Sequence, residues 1–316
     1  MVAGPRRAGV AASAEEPAVG GDVLAPAVDP APGTVGAPRR LAGRVLRSGN
    51  ACAGGAIVAL AAGAALLAPL VSPQDPLVIT GERLRSPSWG HLLGTDGLGR
   101  DVLSRILHGG RLSLGAAALA TALVMSIGVL VGTVAGHFGG KVDAVIMRVV
   151  DLLLALPGLV VAFAIAGLFE PSVLAVLVGL VSVWWVGFAR IVRGLVLSVR
   201  RQPYVEASSA LGAGNARLIR RHILPNIAPA VVVLVTQRMG RLILAVAGLS
   251  FLGLGAQPPT PEWGSMLNES RPYFPSYPHL MLAPGMAVSF VVLGLNLLGD
   301  GLRDVLDPRL RATGSW

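Results

Sequence analysis

Glu206-Ala207-Ser208-Ser209-Ala210-Leu211-Gly212, followed by Arg217 to His222 and by Ile223-Leu224-Pro225, is a polar, small-residue helix-turn segment set between strongly hydrophobic runs. It belongs to an interruption of about 35 mostly soluble residues, seven of them Arg. An apolar chain that breaks off to present such a stretch offers another protein something to grip.

Composition sets the class on either side of that interruption. With 53% hydrophobic and 14% charged residues, and a mean hydropathy of +0.68, the chain is too apolar for a soluble globule and reads as a polytopic membrane protein. Aromatics are sparse at 5% and glycines number 41, which suits membrane helices that approach closely through small residues. The single cysteine, Cys52, excludes an internal disulfide. The net charge of +9 comes from basic residues clustered at the ends of apolar runs, so it speaks for membrane topology and against nucleic-acid binding.

Residues 1–40 are rich in Ala, Pro, Gly and Val and carry no periodicity, which predicts a disordered tail. Arg6-Arg7 does not open a twin-arginine signal, because Glu15, Glu16 and Pro17 stand where an apolar segment is needed. The expected organisation is this tail, a membrane domain over 41–311 with the soluble loop at about 190–226, and a short tail over 312–316.

A helix needs about 20 mainly apolar residues to cross the hydrocarbon core. Six windows qualify: approximately Ala51 to Val71, Leu112 to Ala135, Val149 to Phe169, Ser172 to Ala189, Ile227 to Phe251, and Leu280 to Leu298. The expected fold is an all-α polytopic membrane protein with both termini on one side. Placing the termini in the cytoplasm puts 18 Lys and Arg on that side, against Arg83, Arg85, Arg100, Arg105, Arg111 and Arg271 on the other. The positive-inside rule favours that orientation.

The arginines between spans one and two are the weak point of this assignment. A local helix lying along the interface accounts for three of them. Thr95 and Asp96 are its candidate N-caps, Val102, Leu103, Ile106 and Leu107 recur at helical spacing, and Asp101 and Arg105 form a supporting pair four apart.

Several chemistries lack their residues. The only Gly-Lys, in Gly136-His137-Phe138-Gly139-Gly140-Lys141-Val142, has Ala135 in place of the first glycine of a phosphate loop and Val142 in place of the Mg²⁺-binding hydroxyl. ATP hydrolysis by this chain is therefore not expected. Ser250, in Gly248-Leu249-Ser250-Phe251-Leu252-Gly253, has no base near it in sequence and reads as a packing residue. The five His show no metal-ligand spacing. Of the acidic residues that would serve an ion-coupled transporter, Asp151 lies near Arg148 at the edge of span three, and Asp300 at the cytoplasmic end of span six. Pro157-Gly158 and Pro284-Gly285 interrupt spans three and six; kinked packing helices are the simpler reading and broken helices the alternative.

The Glu206 segment closely resembles the EAA loop of binding-protein-dependent ABC importer permeases, with Glu-Ala-x-x-x-Leu-Gly and the downstream Ile-Leu-Pro. Further blocks are similar to the C-type subunit of the dipeptide, oligopeptide and nickel permeases. They are Leu93-Gly94-Thr95-Asp96-Gly97-Leu98-Gly99-Arg100-Asp101, Leu249 to Gly255, Gln257-Pro258-Pro259-Thr260-Pro261-Glu262-Trp263-Gly264, Asn296 to Asp304, and the ending Leu306 to Arg311. The resemblance runs from about Leu41 to Arg311.

It implies a type I ABC importer in a bacterial cytoplasmic membrane: two permease subunits, two ATPases that bind ATP and Mg²⁺, and an external solute-binding protein. This chain would be one permease, with no cofactor of its own. Tyr204, Glu206, Ala207, Ser208, Leu211, Gly212, Leu224 and Pro225 are then the expected ATPase-coupling residues. Tyr204 to Leu211 should form a short helix, with Gly212 permitting a turn that a Cβ would strain. Arg200, Arg201, Arg217, Arg220 and Arg221 would fix register by charge pairing. A secondary transporter or channel acting alone, a membrane enzyme, and nickel import by the same family are the competing readings.

Two departures from the family pattern stand out. Ser208 replaces a second alanine, a change of one hydroxyl. Val246 stands near the position of a common family Glu, while Arg238 and Arg241 stand near positions where the family often has apolar or small residues, so the charge of span five is inverted. Facing the translocation path, the two arginines would favour anionic groups such as peptide carboxylates and disfavour nickel. Near the cytoplasmic end they would simply snorkel.

Overall fold

A computed structural model of the chain describes residues 47–306. The expected tails over 1–40 and 312–316, and the family-like residues Asp307 to Arg311, lie outside the described residues. Among those described, every regular element is a helix, and extended backbone pairs only in two isolated bridges, Ser88 with His91 and Thr95 with Asp101.

Span one is α1 (Gly49–Leu66), continued by the single turn α2 (Ala68–Val71). Span two is α3 (Val102–Phe138), 37 residues long. Span three divides into α4 (Gly140–Leu154) and α5 (Gly158–Ala166), bent by 82°. α6 (Val173–Arg200) is span four and α7 (Pro203–Ala210) stands alone after it. α8 (Asn215–Phe251) is span five, α9 (Trp263–Ser270) is a short helix beyond it, and α10 (His279–Leu306) is span six. Five helices are long and apolar enough to cross a membrane, and the bent α4–α5 pair brings the crossings to six.

The interfacial helix expected after Thr95 and Asp96 does not form as a separate element. Val102 to Leu107 are the first turns of α3, and the N-cap is Asp101, whose carboxylate accepts from the Ser104 N–H at 2.8 Å. Capping at Asp101 lets one apolar face run unbroken from the first turn into the span. The expected Asp101–Arg105 pair is also absent: Asp101 bonds Ser104 and His91, while Arg105 bonds Asp96 and Glu269. Asp151, expected near Arg148, pairs with Arg190 of α6, and Asp143 pairs with Arg193.

The two Pro-Gly interruptions behave differently. At Pro157 the helix stops, because proline disfavours helical backbone at Leu156 and brings no N–H; α5 then starts afresh with the Pro157 carbonyl accepting from Val160 at 2.9 Å and Val161 at 3.1 Å. At Pro284 the helix continues. The carbonyl deprived of its partner by Pro284 is that of Leu280, and the Ser270 hydroxyl donates to it at 3.1 Å. A side chain from α9 thus repairs the helix that proline would otherwise open.

α3 and α6 pack through Gly128, Gly132 and Gly136, spaced four apart on one face of α3. A Cβ at Gly132 would lie 2.5 Å from the Ala189 carbonyl oxygen, and one at Gly136 would lie 2.9 Å from Val196. Lipid gives no hydrophobic drive between helices, so this close backbone approach supplies van der Waals contact instead. Ser250 is buried and packs against Gly255 and Gly264, as a packing residue should.

Helix directions sort the loops between two ends of the bundle. The end of α3 meets the start of α8, where His137 Nε2 lies 3.1 Å from Asn215 Oδ1. Gly301 packs on Ala51, so the described chain enters and leaves at this same end, which also carries α7. Residues 72–101 and α9 lie at the opposite end.

Candidate functional site

α7 begins with Pro203 in its first turn, where the missing N–H has no helical partner to lose. Glu206 is also in that turn and interacts favourably with the helix dipole. The helix closes on Gly212, at φ +84°, with the Gly212 N–H donating to the Ser209 carbonyl at 3.0 Å and the Ala213 N–H to the Ser208 carbonyl at 3.1 Å. This is a Schellman ending, which requires the left-handed conformation that glycine adopts at least cost. The expected helix and turn are both present.

Two side chains hold α7 to the bundle. Val205 is buried, and the half-buried Tyr204 ring lies 6.1 Å from that of His222. Burial pushes the Tyr204 phenol above its ordinary range, while a hydrogen bond with Asn226 pulls it back. Glu206, Ala207 and Leu211 face outward, Leu211 at 89% exposure, and Ser208 is half-buried. None of the ion pairs among the described residues involves Glu206, Arg200, Arg201, Arg217, Arg220 or Arg221. Their expected charge pairing is not made among the described residues.

Leu224 and Pro225 follow a widened turn of α8. Over Leu218–Ile223 the helix is of π type, and the Leu224 N–H reaches back to the Ile219 carbonyl. Pro225 comes next, exposed, where the ladder returns to ordinary spacing. Such widened turns recur at functional sites. The neighbouring rings of Tyr204 and His222 bring the two halves of the expected site together.

The opposite end is built around four charges. Asp96 Oδ2 accepts from Arg100 Nε at 2.7 Å and from Arg105 Nη1 at 2.9 Å. Glu269 accepts from Arg100 Nη2 at 2.6 Å and from Arg105 Nη2 at 3.0 Å. Both arginines are almost wholly buried. They line a cavity of about 200 Å³ with Asp96, Glu269 and Tyr273. Beneath it, buried Glu262 caps α9 and accepts from the Ser113 hydroxyl at 2.9 Å.

Residues 128–312 match the family model described as "Binding-protein-dependent transport system inner membrane component". The chain belongs to this family. The permease is 42% identical over 271 residues to the glutathione transport system permease protein GsiD of Pectobacterium atrosepticum, covering 85% of this chain and 90% of that one. It is 41% identical over 249 residues to the dipeptide transport system permease protein DppC of Alkalihalophilus pseudofirmus, covering 78% and 82%. It is also 41% identical over 255 residues to the nickel transport system permease protein NikC of Escherichia coli K12, covering 80% and 92%. The permease is thus a multi-pass inner membrane component of the ABC importer family that includes dipeptide, glutathione and nickel systems. Systems of this family work with ATPase and solute-binding chains.

In the permease, Arg238 is half-buried and Arg241 exposed, and neither takes part in the hydrogen bonds or ion pairs found among the described residues. Val246 is buried in an apolar cluster with Ala116, Ala120, Leu177 and Leu180. It does not share the open face of Arg241.

Sequence alone does not reveal the charge cluster at the end opposite α7. Arg100 and Arg105 counted there as misplaced positive charges, whereas Asp96 and Glu269 neutralise both. A signal did exist, since arginines on the wrong side of a membrane call for nearby carboxylates. Sequence could not point to Glu269, which lies 164 residues from Arg105.

Proposed function

We propose that this permease is one of two homologous membrane subunits of an ATP-driven importer for di- or oligopeptides, and that α7 is its contact with the ATPases. The observation that carries this reading is the form of α7: anchored through Val205 and Tyr204, stopped by Gly212, and presenting Glu206, Ala207 and Leu211 outward. Small side chains there allow close docking in a groove of an ATPase, and the unpaired arginines nearby supply register.

ATP and Mg²⁺ belong to the two partner ATPases. Their closure on ATP carries α7 with it and rocks the membrane bundle, so that access to the path alternates. The surplus of Lys and Arg assigns the α7 end and both termini to the cytoplasm. The membrane domain then spans 41–311, with cytoplasmic tails over 1–40 and 312–316, and the solute-binding protein docks on the opposite end. Peptide cargo is supported by the glutathione and dipeptide systems among the relatives.

Purification of the tagged permease from its native membrane tests the assignment. ATPase chains should accompany it and show vanadate-sensitive hydrolysis that a cognate binding protein stimulates. Transport by the permease alone, independent of ATP, would overturn it.

A further inference from the structure

At the end of the bundle that carries α7, spans two and five meet at one polar contact and frame a cleft beneath it. His137 Nε2, in the last turn of α3, lies 3.1 Å from Asn215 Oδ1, in the first turn of α8. The cleft below measures about 500 Å³, within the range of small-ligand sites. Met125, Val129 and Leu130 of α3 and Ile219 and Leu224 of α8 line it. The widened turn shapes the α8 wall: in a helix of π type residues five apart stack, so Ile219 and Leu224 present one apolar face. The α3 wall, from Met125 to Val134, rises about 14 Å, close to half of a hydrocarbon core about 30 Å thick. The cleft is one leaflet deep.

Polar groups without partners mark its upper part. Thr133 is buried and lines the cleft, and its hydroxyl has no hydrogen-bond partner among the described residues. A helical threonine can bond the carbonyl four residues back, as Thr121 does with Ala117 at 2.7 Å; Thr133 does not. One turn above it, buried His137 leaves Nδ1 unpartnered as well. α8 begins beside that ring with no capping side chain at Gly214, and the N–H groups of Asn215 and Ala216 make no hydrogen bond among the described residues. An uncapped helix start carries partial positive charge and attracts anions.

Arg220 adds a full charge. It is exposed and belongs to none of the ion pairs among the described residues. Standing four before Leu224 in a turn of five, it borders the face that lines the cleft. Arg217 and Arg221, two positions to either side of Ile219, fall on other faces and stay free for the ATPase contact.

We propose that this cleft binds an anionic phospholipid of the leaflet at the α7 end. The phosphate lies at the start of α8, between His137 and Arg220, and one acyl chain lies between α3 and the widened turn. A neutral headgroup gives Arg220 no counter-charge, and a free phosphate leaves the apolar walls unmatched. Basic pockets between membrane helices select anionic headgroups in this way. The site goes beyond the importer reading and is independent of the cargo.

Photolabelling tests it. The permease, purified with the chains that accompany it, is placed in nanodiscs containing phosphatidylglycerol or phosphatidylcholine, each with the same diazirine-bearing acyl chain. Peptide mass spectrometry after irradiation locates the adducts. Phosphatidylglycerol should label residues 125–134 and 219–224 about fivefold more than phosphatidylcholine, the worth of one basic residue at an anionic surface. Arg220→Gln should bring the ratio close to parity, Arg220→Lys should keep it, and Arg221→Gln, on another face, should leave it unchanged.

Equal labelling by the two lipids in the wild type would make the cleft ordinary lipid contact and overturn the proposal. A preference unmoved by Arg220→Gln overturns it too. Adducts elsewhere on the chain but none in the cleft would show that a protein partner covers it, and the proposal falls.

Discussion

Nη2 of Arg105 donates to both carboxylate oxygens of Glu269, at 3.0 and 3.1 Å, across 164 residues of sequence. The contact joins the first turn of α3 to the end of α9; Arg105 is buried and Glu269 partly so. Removing Glu269 leaves two buried arginines sharing Asp96, at a cost below the ~3–5 kcal/mol of a buried charge with no partner at all. Glu269→Ala should therefore lower the thermal unfolding midpoint of the detergent-solubilised permease markedly. Arg85→Ala, which removes an exposed pair with Glu82, should leave it nearly unchanged. Equal effects of the two variants would contradict the burial argument.

The same carboxyl group makes stability depend on pH. Burial raises the Glu269 pKa, Arg100 draws it down, and Asp96 pushes it further up, with a net rise. The folded permease therefore holds this proton to higher pH than the unfolded chain does. The contribution of the group is complete below the ordinary glutamate range and is lost as pH rises through the elevated value. Thermal unfolding of wild type and Glu269→Gln between about pH 4 and about pH 7 isolates this contribution. The wild-type midpoint should fall relative to that of the variant as pH increases; a constant or rising difference would refute the sign.

Gly212 adopts φ +84° with open space around the position of its missing Cβ, so backbone strain alone penalises replacement. Gly212→Ala should cost about 1–2 kcal/mol locally and weaken coupling modestly. Gly212→Pro cannot adopt a positive φ and also removes the N–H that donates to Ser209. That variant, like Glu206→Lys, should insert normally and assemble partly, while ATP hydrolysis proceeds without uptake. The ratio of hydrolysis to uptake in proteoliposomes checks this, and normal uptake by both variants would count against α7 as the coupling element.

Gly132→Leu should separate α3 from α6, because even a Cβ there meets the Ala189 carbonyl oxygen at 2.5 Å. Overpacking of this kind costs about 1–3 kcal/mol or more. Gly115→Leu, on an open face of the same helix, should be tolerated. Expression and unfolding midpoints of the two variants measure the difference.

The spans were legible because apolar runs of sufficient length have few other uses, and α7 because proline, glycine and small residues mark its start, stop and surface. Contacts between distant segments were not. Val102 to Leu107 carry the same helical spacing whether they form an interfacial helix or the first turns of α3; Asp101 decides, since it caps at the one place that leaves the face unbroken. Pro157 and Pro284 look alike in sequence. Only the arrival of Ser270 beside Leu280 distinguishes a proline that breaks its helix from one that does not.

α9 fastens two spans with adjacent residues: Glu269 grips Arg105 of α3, and Ser270 bonds the Leu280 carbonyl of α10. The tips of spans two and six at this end are thus tied through two neighbouring residues, and sliding one past the other breaks the Arg105–Glu269 contact. A relative tilt that keeps this tie intact would hold the two tips together and part the spans at the end that carries α7.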